Sequence, residues 1–147
     1  RSLNKHQFYS DIGSNSSKEL FSCEISSLLQ KHSKNNVILK SNIIFEGKTL
    51  TSNDYFFVKP KELILPEQNY SVNLERVDND FIIAIKSTTF LYRFYILCSN
   101  DSGVFSDNYF NMLPGQKIEV IYSPSSDYKK NQDFNPDFEF NSVQGLS

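Results

Sequence analysis

The chain has 147 residues, with 15 Lys or Arg against 17 Asp or Glu, which gives a formal net charge of −2. This near-neutral balance, with the cationic residues scattered, gives no basic surface of the kind that nucleic acids or anionic membranes require. The longest unbroken apolar run, Phe81–Ile85, has the length of a strand and is too short for a membrane span. A chain of this length predicts one domain with a modest core.

The aromatic content favours strands, because Phe and Tyr fit a pleated surface and the chain has 13 Phe and 8 Tyr but one Met. Arg1–Lys18 is polar and aperiodic, and it is interpreted as a lead-in from a preceding domain. Leu20–Ile25 is predicted as a first strand and Ser26–His32 as one helical turn with a serine cap. Val37–Phe45 alternates as a strand and leads into a turn at Glu46–Lys48.

Period-two alternation continues through the rest of the chain, with turn residues between the runs. The further predicted strands are Lys61–Leu65, Asn69–Val77, Phe81–Lys86, Tyr92–Cys98, Gln116–Tyr122 and Phe138–Val143. About eight short strands predict an all-β fold, an antiparallel β-sandwich. The predicted boundaries are 1–18 for the lead-in, 19–124 for the sandwich and 125–147 for a tail with a docking strand.

The connection Gly103–Gly115 between two predicted strands is too aromatic for a passive loop. Its large side chains are expected to leave water: Phe105, Tyr109, Phe110, Met112 and Leu113. Its polar side chains, Ser106, Asp107 and Asn108, are suited to bonding nearby backbone N–H groups. Pro114-Gly115 predicts a type II turn, with Pro fixing φ and Gly taking φ > 0. The connection is therefore predicted to be anchored and to lead directly into a final strand.

The run Phe-Ser-Asp-Asn-Tyr-Phe at 105–110, followed by Leu-Pro-Gly at 113–115 and an alternating strand, carries a resemblance to a known family. It resembles the C-terminal immunoglobulin-like domain of β-mannosidases of glycoside hydrolase family 2, closest to the animal lysosomal type. Thr51–Leu65, with its aromatics before Pro-Lys, and the terminal Phe138–Val143 are similar to further parts of that domain. The family often has Asp at the position of Asn111.

The resemblance implies an immunoglobulin-like β-sandwich of about 7–8 strands that serves as an accessory domain of a larger enzyme. The parent would be a retaining exoglycosidase that removes terminal non-reducing β-linked mannose from oligosaccharides during glycoprotein breakdown. Its two catalytic Glu residues would lie in a (β/α)8 barrel outside this chain. The barrel and neighbouring domains are the implied partners, and the lysosome or secretory route is the implied location.

The six residues of the aromatic connection are the candidates for interdomain docking or loop anchoring: Phe105, Ser106, Asp107, Asn108, Tyr109 and Phe110. No pair of acid and base residues supports catalysis by this chain itself. Asp107 is interpreted as an acceptor for backbone N–H groups rather than as a general acid. Two isolated His and no Cys-x-x-Cys pattern give no metal site, and no cofactor is predicted.

Cys23 and Cys98 leave two interpretations open. They form a disulfide if the protein is secretory or lysosomal, or they are two buried free thiols, because free Cys packs as a small hydrophobe. Asn15, Asn69 and Asn100 each begin an Asn-x-Ser triplet and are candidate glycosylation sites. Together they favour a secretory route weakly, since such triplets also arise by chance in a chain rich in Ser and Asn.

A second function competes with the accessory domain: a free-standing β-sandwich module that binds carbohydrate or protein. Sugar-binding modules stack rings on exposed aromatics. Since Trp is absent, the candidates would be tyrosines, namely Tyr55, Tyr70, Tyr95 and Tyr109. A sandwich fold hosts many functions and does not decide between the two hypotheses. The motif in the connection favours the accessory domain.

Overall fold

A computed structural model describes residues 5–29, 32–128 and 133–145. The chain divides into two compact units, and the division falls between Ile64 and Leu65. This boundary lies inside the single sandwich predicted for 19–124. The physical reason is strand pairing: the first two strands of the chain pair with each other, and all later strands pair among themselves. No helix within the described ranges is long and apolar enough to cross a membrane.

The first unit contains an antiparallel hairpin of β1 (Ile38–Phe45) and β2 (Lys48–Phe56). Phe45 pairs with Lys48, so the turn has two residues, and both Glu46 and Gly47 have positive φ, at 49° and 77°. Such turns match the right-handed twist of the flanking strands, which explains why Glu46-Gly47 reverses the chain here. The predicted strand and turn are confirmed, and the second strand of the hairpin, β2, was not among the predicted strands.

Two predicted strands of the first unit are wrong. Residues 20–24 are irregular and lead into a short helix, α1 (Ile25–Leu29), whose Leu29 is buried. The helical turn is present, but no serine caps it: Ser27 Oγ donates to the Glu24 carbonyl oxygen from inside the helix. Instead of a strand at 61–65, the chain forms a 3-10 turn at Pro60–Glu62. Proline fixes φ near the helical value and lacks an N–H, which suits the first position of such a turn.

The second unit is an immunoglobulin-like β-sandwich of seven antiparallel strands, which confirms the predicted fold class. The strands are β3 (Tyr70–Val77), β4 (Asp80–Ser87), β5 (Leu91–Cys98), β6 (Val104–Phe105), β7 (Phe110–Met112), β8 (Lys117–Ser123) and β9 (Phe138–Asn141). One sheet has the order β3-β4-β8-β6 and the other has the order β7-β5-β9. A 3-10 turn at Val143–Gly145 follows β9.

The inward-facing residues of both sheets form one hydrophobic core. In β4 the alternation is strict, with Phe81, Ile83 and Ile85 buried and their neighbours more exposed, as expected for a sheet with one solvated face. From the second sheet, Phe94 and Ile96 are fully buried in the same cluster. This core fixes the positions of β5 and β8, the two strands between which the aromatic connection runs.

The C-terminal tail supplies a strand to this core. β9 pairs with β5 from Tyr95↔Asn141 to Cys98↔Phe138. The ring of Phe138 lies 5.0 Å from that of Tyr122 and 6.3 Å from that of Phe81, between centroids. The docking strand predicted in the tail is therefore present as an added strand beside β5.

Candidate functional site

The aromatic connection crosses from one sheet of the sandwich to the other. Its first part, β6, pairs with β8 through Val104↔Ser123 and Phe105↔Tyr122. Its second part, β7, pairs with β5 through Phe110↔Phe94 and Met112↔Leu91. The connection was predicted as a loop, and these two short strands were missed because each depends on a partner elsewhere in the chain. It closes with the predicted turn, in which Gly115 has φ of 83° and Gln116 N–H donates to Leu113 O at 3.0 Å.

Ser106 extends the pairing of β6 with β8 by one residue. Its N–H donates to Ile121 O at 2.8 Å, and its Oγ accepts from Ile121 N–H at 2.9 Å. The hydroxyl therefore takes the place of a backbone carbonyl. Phe105, directly before it, is half-buried and its ring lies 4.7 Å from the ring of Tyr122. This end of the connection is fixed by backbone, hydroxyl and ring contacts together.

Asn108 attaches the middle of the connection to β5. Its Oδ1 accepts from Ile96 N–H at 2.9 Å, and its Nδ2 donates to Ile96 O at 2.8 Å. One side-chain amide thus pairs with both the N–H and the carbonyl oxygen of a residue in a core strand. Leaving these two buried backbone groups unpaired would cost free energy. Asp107 Oδ1 in turn accepts from Asn108 N–H at 2.8 Å, the kind of backbone contact predicted for this carboxylate.

Asn111 holds an irregular residue of β5 in place. The pairing of β5 with β7 shifts register between Leu91 and Phe94, and Arg93 has φ of 50°. Arg93 N–H donates to Asn111 Oδ1 at 2.8 Å, which replaces the lost ladder bond. The guanidinium of Arg93 lies 5.3 Å from the centroid of the Tyr92 ring. An Asp at position 111 would offer the same acceptor oxygen, so this contact needs an oxygen and no particular charge.

Tyr109 is the exception among the predicted docking residues. It was expected to leave water, yet 65% of its surface is exposed. Its backbone is left-handed, with φ of 60°, a conformation that costs free energy for a residue with a Cβ. Its ring stacks on Tyr95, with centroids 5.4 Å apart and planes 17° from parallel. Phe110, by contrast, is half-buried and its ring lies 5.9 Å from that of Phe94.

A buried network beside β6 was missed by the sequence analysis. The hydroxyl of fully buried Tyr122 donates to Asp101 Oδ2 at 2.7 Å and accepts from Gly103 N–H at 3.1 Å. Asp101 Oδ2 also accepts from Ser125 N–H at 2.9 Å. No local signal in the sequence identifies this network, because Asp101 and Tyr122 are 21 positions apart.

The network shifts two pKa values. Burial of Asp101 acts to raise its pKa, but the hydrogen bonds from Ser125 and Tyr122 outweigh it and hold the pKa of this carboxyl below its usual range. Burial raises the pKa of the Tyr122 hydroxyl, with the neighbouring Cys98 thiol and the Asp101 carboxylate adding to the effect. The pair therefore consists of a carboxylate and a protonated phenol, the combination that the short hydrogen bond requires.

The other predicted residues are dispersed. Asn15 lies in an exposed turn, with φ of 55°, and Asn69 is exposed at the entry to β3. Asn100 is exposed after β5, but its Nδ2 donates to Asn135 O at 3.0 Å and its Oδ1 accepts from Asp137 N–H at 2.9 Å. Nδ2 is the atom to which an N-linked glycan attaches, so Asn100 is already used in a structural contact. Glycosylation at all three sites remains a prediction.

Both cysteines are free thiols, and they differ in exposure. Cys23 is exposed and Cys98 is half-buried, with its Sγ 3.3 Å from Asn100 Oδ1. Cys23 lies in the first unit and Cys98 in the second, and both interpretations of the pair stay predictions. In the described ranges no group of three or more His, Cys, Asp or Glu is arranged to hold a metal ion.

The tyrosines that were candidates for sugar stacking have different surroundings. Tyr70 is half-buried, its hydroxyl donates to Phe140 O at 3.1 Å, and its ring lies 5.0 Å from that of Phe94. It therefore belongs to the core. Tyr55 is exposed on the hairpin of the first unit. Tyr95 and Tyr109 form the stacked pair on the outside of the β7-β5-β9 sheet.

Comparison with known protein families supports this architecture. Residues 65–145, more than half of the chain, match the model of the mannosidase family described as an Ig-fold domain. The chain belongs to the mannosidase Ig-fold family. Residues 1–62 match a second model, described as a mannosidase Ig/CBM-like domain. No curated protein matches the chain.

The two matches of this mannosidase Ig-fold chain agree with its structural division. The matched ranges meet between residues 62 and 65, and the compact units meet between Ile64 and Leu65. The aromatic connection and the Tyr122 network both lie within the Ig-fold match. The chain thus contains mannosidase Ig-like regions, which are accessory domains of a mannosidase.

Proposed function

We propose that the chain is the C-terminal accessory region of a β-mannosidase of glycoside hydrolase family 2. The parent is a retaining exoglycosidase that removes terminal non-reducing β-linked mannose from oligosaccharides in glycoprotein breakdown. Its catalytic Glu residues lie in a (β/α)8 barrel outside this chain, which itself supports that barrel. The parent acts in the lysosome or along the secretory route. The mannosidase family matches and the motif at 105–115 support this assignment.

The observation that carries the docking role is the presentation of Tyr109. Its immediate neighbours in the connection are attached to the sandwich, by the amide of Asn108 and the ring of Phe110. Tyr109 instead holds a large ring outward on a left-handed backbone. A strained, exposed aromatic on a rigid support is a feature of contact sites, where burial of the ring repays the backbone cost.

The test compares two exposed positions on the same connection in the native polypeptide. Tyr109→Asn removes the ring but tolerates the left-handed backbone, so the sandwich itself is expected to keep its stability. Val104→Asn is the matched control, since Val104 is also highly exposed but lies on the other sheet. We expect Tyr109→Asn to lower by several degrees the temperature at which the polypeptide loses half of its activity on an aryl β-mannoside. Val104→Asn should leave this temperature unchanged.

Two results would contradict the proposal. If the native polypeptide hydrolyses no β-mannoside, the assignment to a β-mannosidase fails. If it does so and Tyr109→Asn behaves like the control, the enzyme assignment stands and docking through Tyr109 fails.

The alternative, a free-standing module that binds carbohydrate or protein, is favoured in its carbohydrate-binding form by one observation, the stack of exposed Tyr109 on half-buried Tyr95. A sugar ring can stack on such a face. Titration of the 147-residue chain with β-1,4-mannobiose, followed by NMR, separates the two functions. Shifts confined to β5 and β7 that disappear in Tyr109→Asn would support the binding module, and the accessory domain predicts none.

A further inference from the structure

The open edges of the two sheets in the second unit differ in length. Three of the four edge strands are short, with two residues in β6, three in β7 and four in β9. The fourth edge strand, β3, has eight residues, and among the strands that the structure describes it pairs only with β4. The N–H and C=O groups along an open edge can pair with another chain, so natural proteins protect their long edge strands.

The second half of β3 is protected by one of its own side chains. Arg76 lies on the inward side of the strand, because its partner in β4 is the buried Phe81. Its Cζ lies 5.3 Å from the centroid of the Phe81 ring, and its Nη1 donates to Phe134 O at 3.4 Å. An inward-pointing charge at an edge disfavours the addition of a further strand, since that strand would bury the charge.

The first half of β3 contains no charged residue. Tyr70 and Val72 pack against the core, and Leu74 faces the same way by its period but is 42% exposed. Ser71 and Asn73 alternate with them on the solvent side, and both are exposed. This half of the strand therefore has neither the Lys, the Pro nor the inward charge that protects an edge in other sheets.

An Asn-Tyr-Ser triplet begins at Asn69, directly before this half of the edge. Asn69 is exposed and its backbone is fixed, because its N–H donates to Thr89 Oγ1 at 3.0 Å and its carbonyl oxygen accepts from Thr88 N–H at 3.0 Å. Within the described residues its side-chain amide makes no hydrogen bond. Its Nδ2 is thus available to an N-linked glycan, whereas the Nδ2 of Asn100 already donates to Asn135 O.

We propose that Asn69 carries an N-linked glycan, and that this glycan shields the first half of the β3 edge from pairing with another chain. The proposal rests on the secretory route of the proposed function, because N-glycans are added there. Tyr70–Leu74 spans only about 14 Å, and a bulky, hydrated oligosaccharide attached next to Tyr70 can extend over this length. A strand that added to the edge would have to displace it. The glycan thus protects the first half of β3 as Arg76 protects the second.

The experiment compares two substitutions of Ser71 in the native polypeptide that carries this segment, produced in a eukaryotic host that N-glycosylates secreted proteins. Ser71→Ala removes the third residue of the triplet and thus the glycan, while Asn69 stays in place. Ser71→Thr is the matched control, since Asn-x-Thr is also an acceptor triplet and Thr suits a strand. Ser71 is exposed on the solvent side of β3, so neither change disturbs the core.

Glycopeptide mass spectrometry measures the occupancy of Asn69, first in the polypeptide from its natural source, and light scattering measures association. We expect Asn69 to be occupied in the wild type and in Ser71→Thr, which share one association state. Ser71→Ala should lose the glycan and form dimers or larger species. Adding Leu74→Lys to Ser71→Ala should reverse this association without restoring the glycan. The lysine repeats the inward charge of Arg76, and at a position that is 42% exposed its ammonium can reach water until a strand adds.

Hydrolysis of an aryl β-mannoside by the same samples separates this inference from the proposed function. If Asn69 carries a glycan on a polypeptide that hydrolyses no mannoside, the inference stands and only the enzyme assignment fails. If the polypeptide is an active β-mannosidase with unmodified Asn69, the inference is overturned and the enzyme assignment stands.

Two further results would overturn the shielding role. The first is a Ser71→Ala variant that lacks the glycan and associates no more than Ser71→Thr. The second is association of Ser71→Ala that Leu74→Lys does not reverse, since the contact between the copies would then lie away from the β3 edge.

Discussion

A Cβ added to Gly103 would lie 2.5 Å from both the Cζ and the Oη of Tyr122. It would also lie 2.5 Å from the backbone oxygen of Ser123. The close approach exists because Gly103 N–H donates to the Tyr122 hydroxyl, which is fully buried. Position 103 therefore requires glycine because there is no room for a Cβ, and not because its backbone φ is positive.

Gly103→Ala should destabilise the second unit by about 2–3 kcal/mol or more, because neither a buried ring nor a paired strand carbonyl yields readily to overpacking. Urea unfolding followed by circular dichroism measures the change. Gly13→Ala is the control, since its Cβ would meet only Ser16 Oγ at 3.6 Å, an ordinary contact. Equal midpoints for the two variants would show that the strand relaxes around the added methyl group.

Asn108→Ala should cost about 2–4 kcal/mol, because it leaves the N–H and the carbonyl of Ile96 without their partner. Asn108→Asp separates the two bonds: it keeps an acceptor for Ile96 N–H but places a carboxylate beside Ile96 O. We expect this variant to be destabilised as well, and less so at acidic pH. Asp107→Ala serves as the control and should cost under about 1 kcal/mol, as for one exposed hydrogen bond. A neutral Asn108→Ala would contradict the anchoring role.

Phe138→Ala should destabilise the second unit by about 3 kcal/mol, because the ring packs against Tyr122, Phe105 and Phe81 between the sheets. Glu139→Ala, one residue further along β9, points to the exposed face and should change the free energy of unfolding by less than about 0.5 kcal/mol. Thermal unfolding of both variants checks this prediction. A similar loss in both would indicate that β9 contributes through backbone pairing alone.

Asp101 should support the fold down to acidic pH. A carboxyl whose pKa is lowered on folding contributes stability above its unfolded pKa, near 3.9, and loses it as the pH falls through the lower folded value. The difference in unfolding free energy between the wild type and Asp101→Asn should therefore be constant from pH 7 to about pH 5 and shrink below about pH 4. Denaturation at several pH values measures it, and a difference that already shrinks at pH 6 would contradict the assignment.

Local sequence features predicted much of the second unit. The strict alternation of Phe81, Ile83 and Ile85 identified β4. The succession of alternating runs, separated by turns that contain Asp or Gly, identified its neighbouring strands. These predictions succeeded because the period of a strand and the φ of a turn residue depend on a few adjacent positions. The prediction of a strand at Leu20–Ile25 was wrong for the same reason, since a short segment with several apolar residues also suits the approach to a helix that buries Leu29.

The site was predictable only in outline. The motif at 105–110 identified the connection, but it did not distinguish Asn108, whose amide binds a core strand, from Tyr109, whose ring is exposed. The buried Asp101–Tyr122 pair was not found, because its members are 21 positions apart and neither is unusual for its own segment. Side-chain burial is a property of the assembled sheets and not of the neighbouring residues in the chain.

The sequence by itself determined the all-β class, the hairpin turn at Glu46-Gly47 and the strands β3, β4, β5 and β8, because alternation and turn chemistry are local. The tertiary structure alone decided that the chain divides between Ile64 and Leu65 and that β6 and β7 join opposite sheets. It also decided that β9 completes the core beside β5. Strand pairing selects partners by burial and hydrogen bonding across long separations, and no short stretch of sequence contains that information.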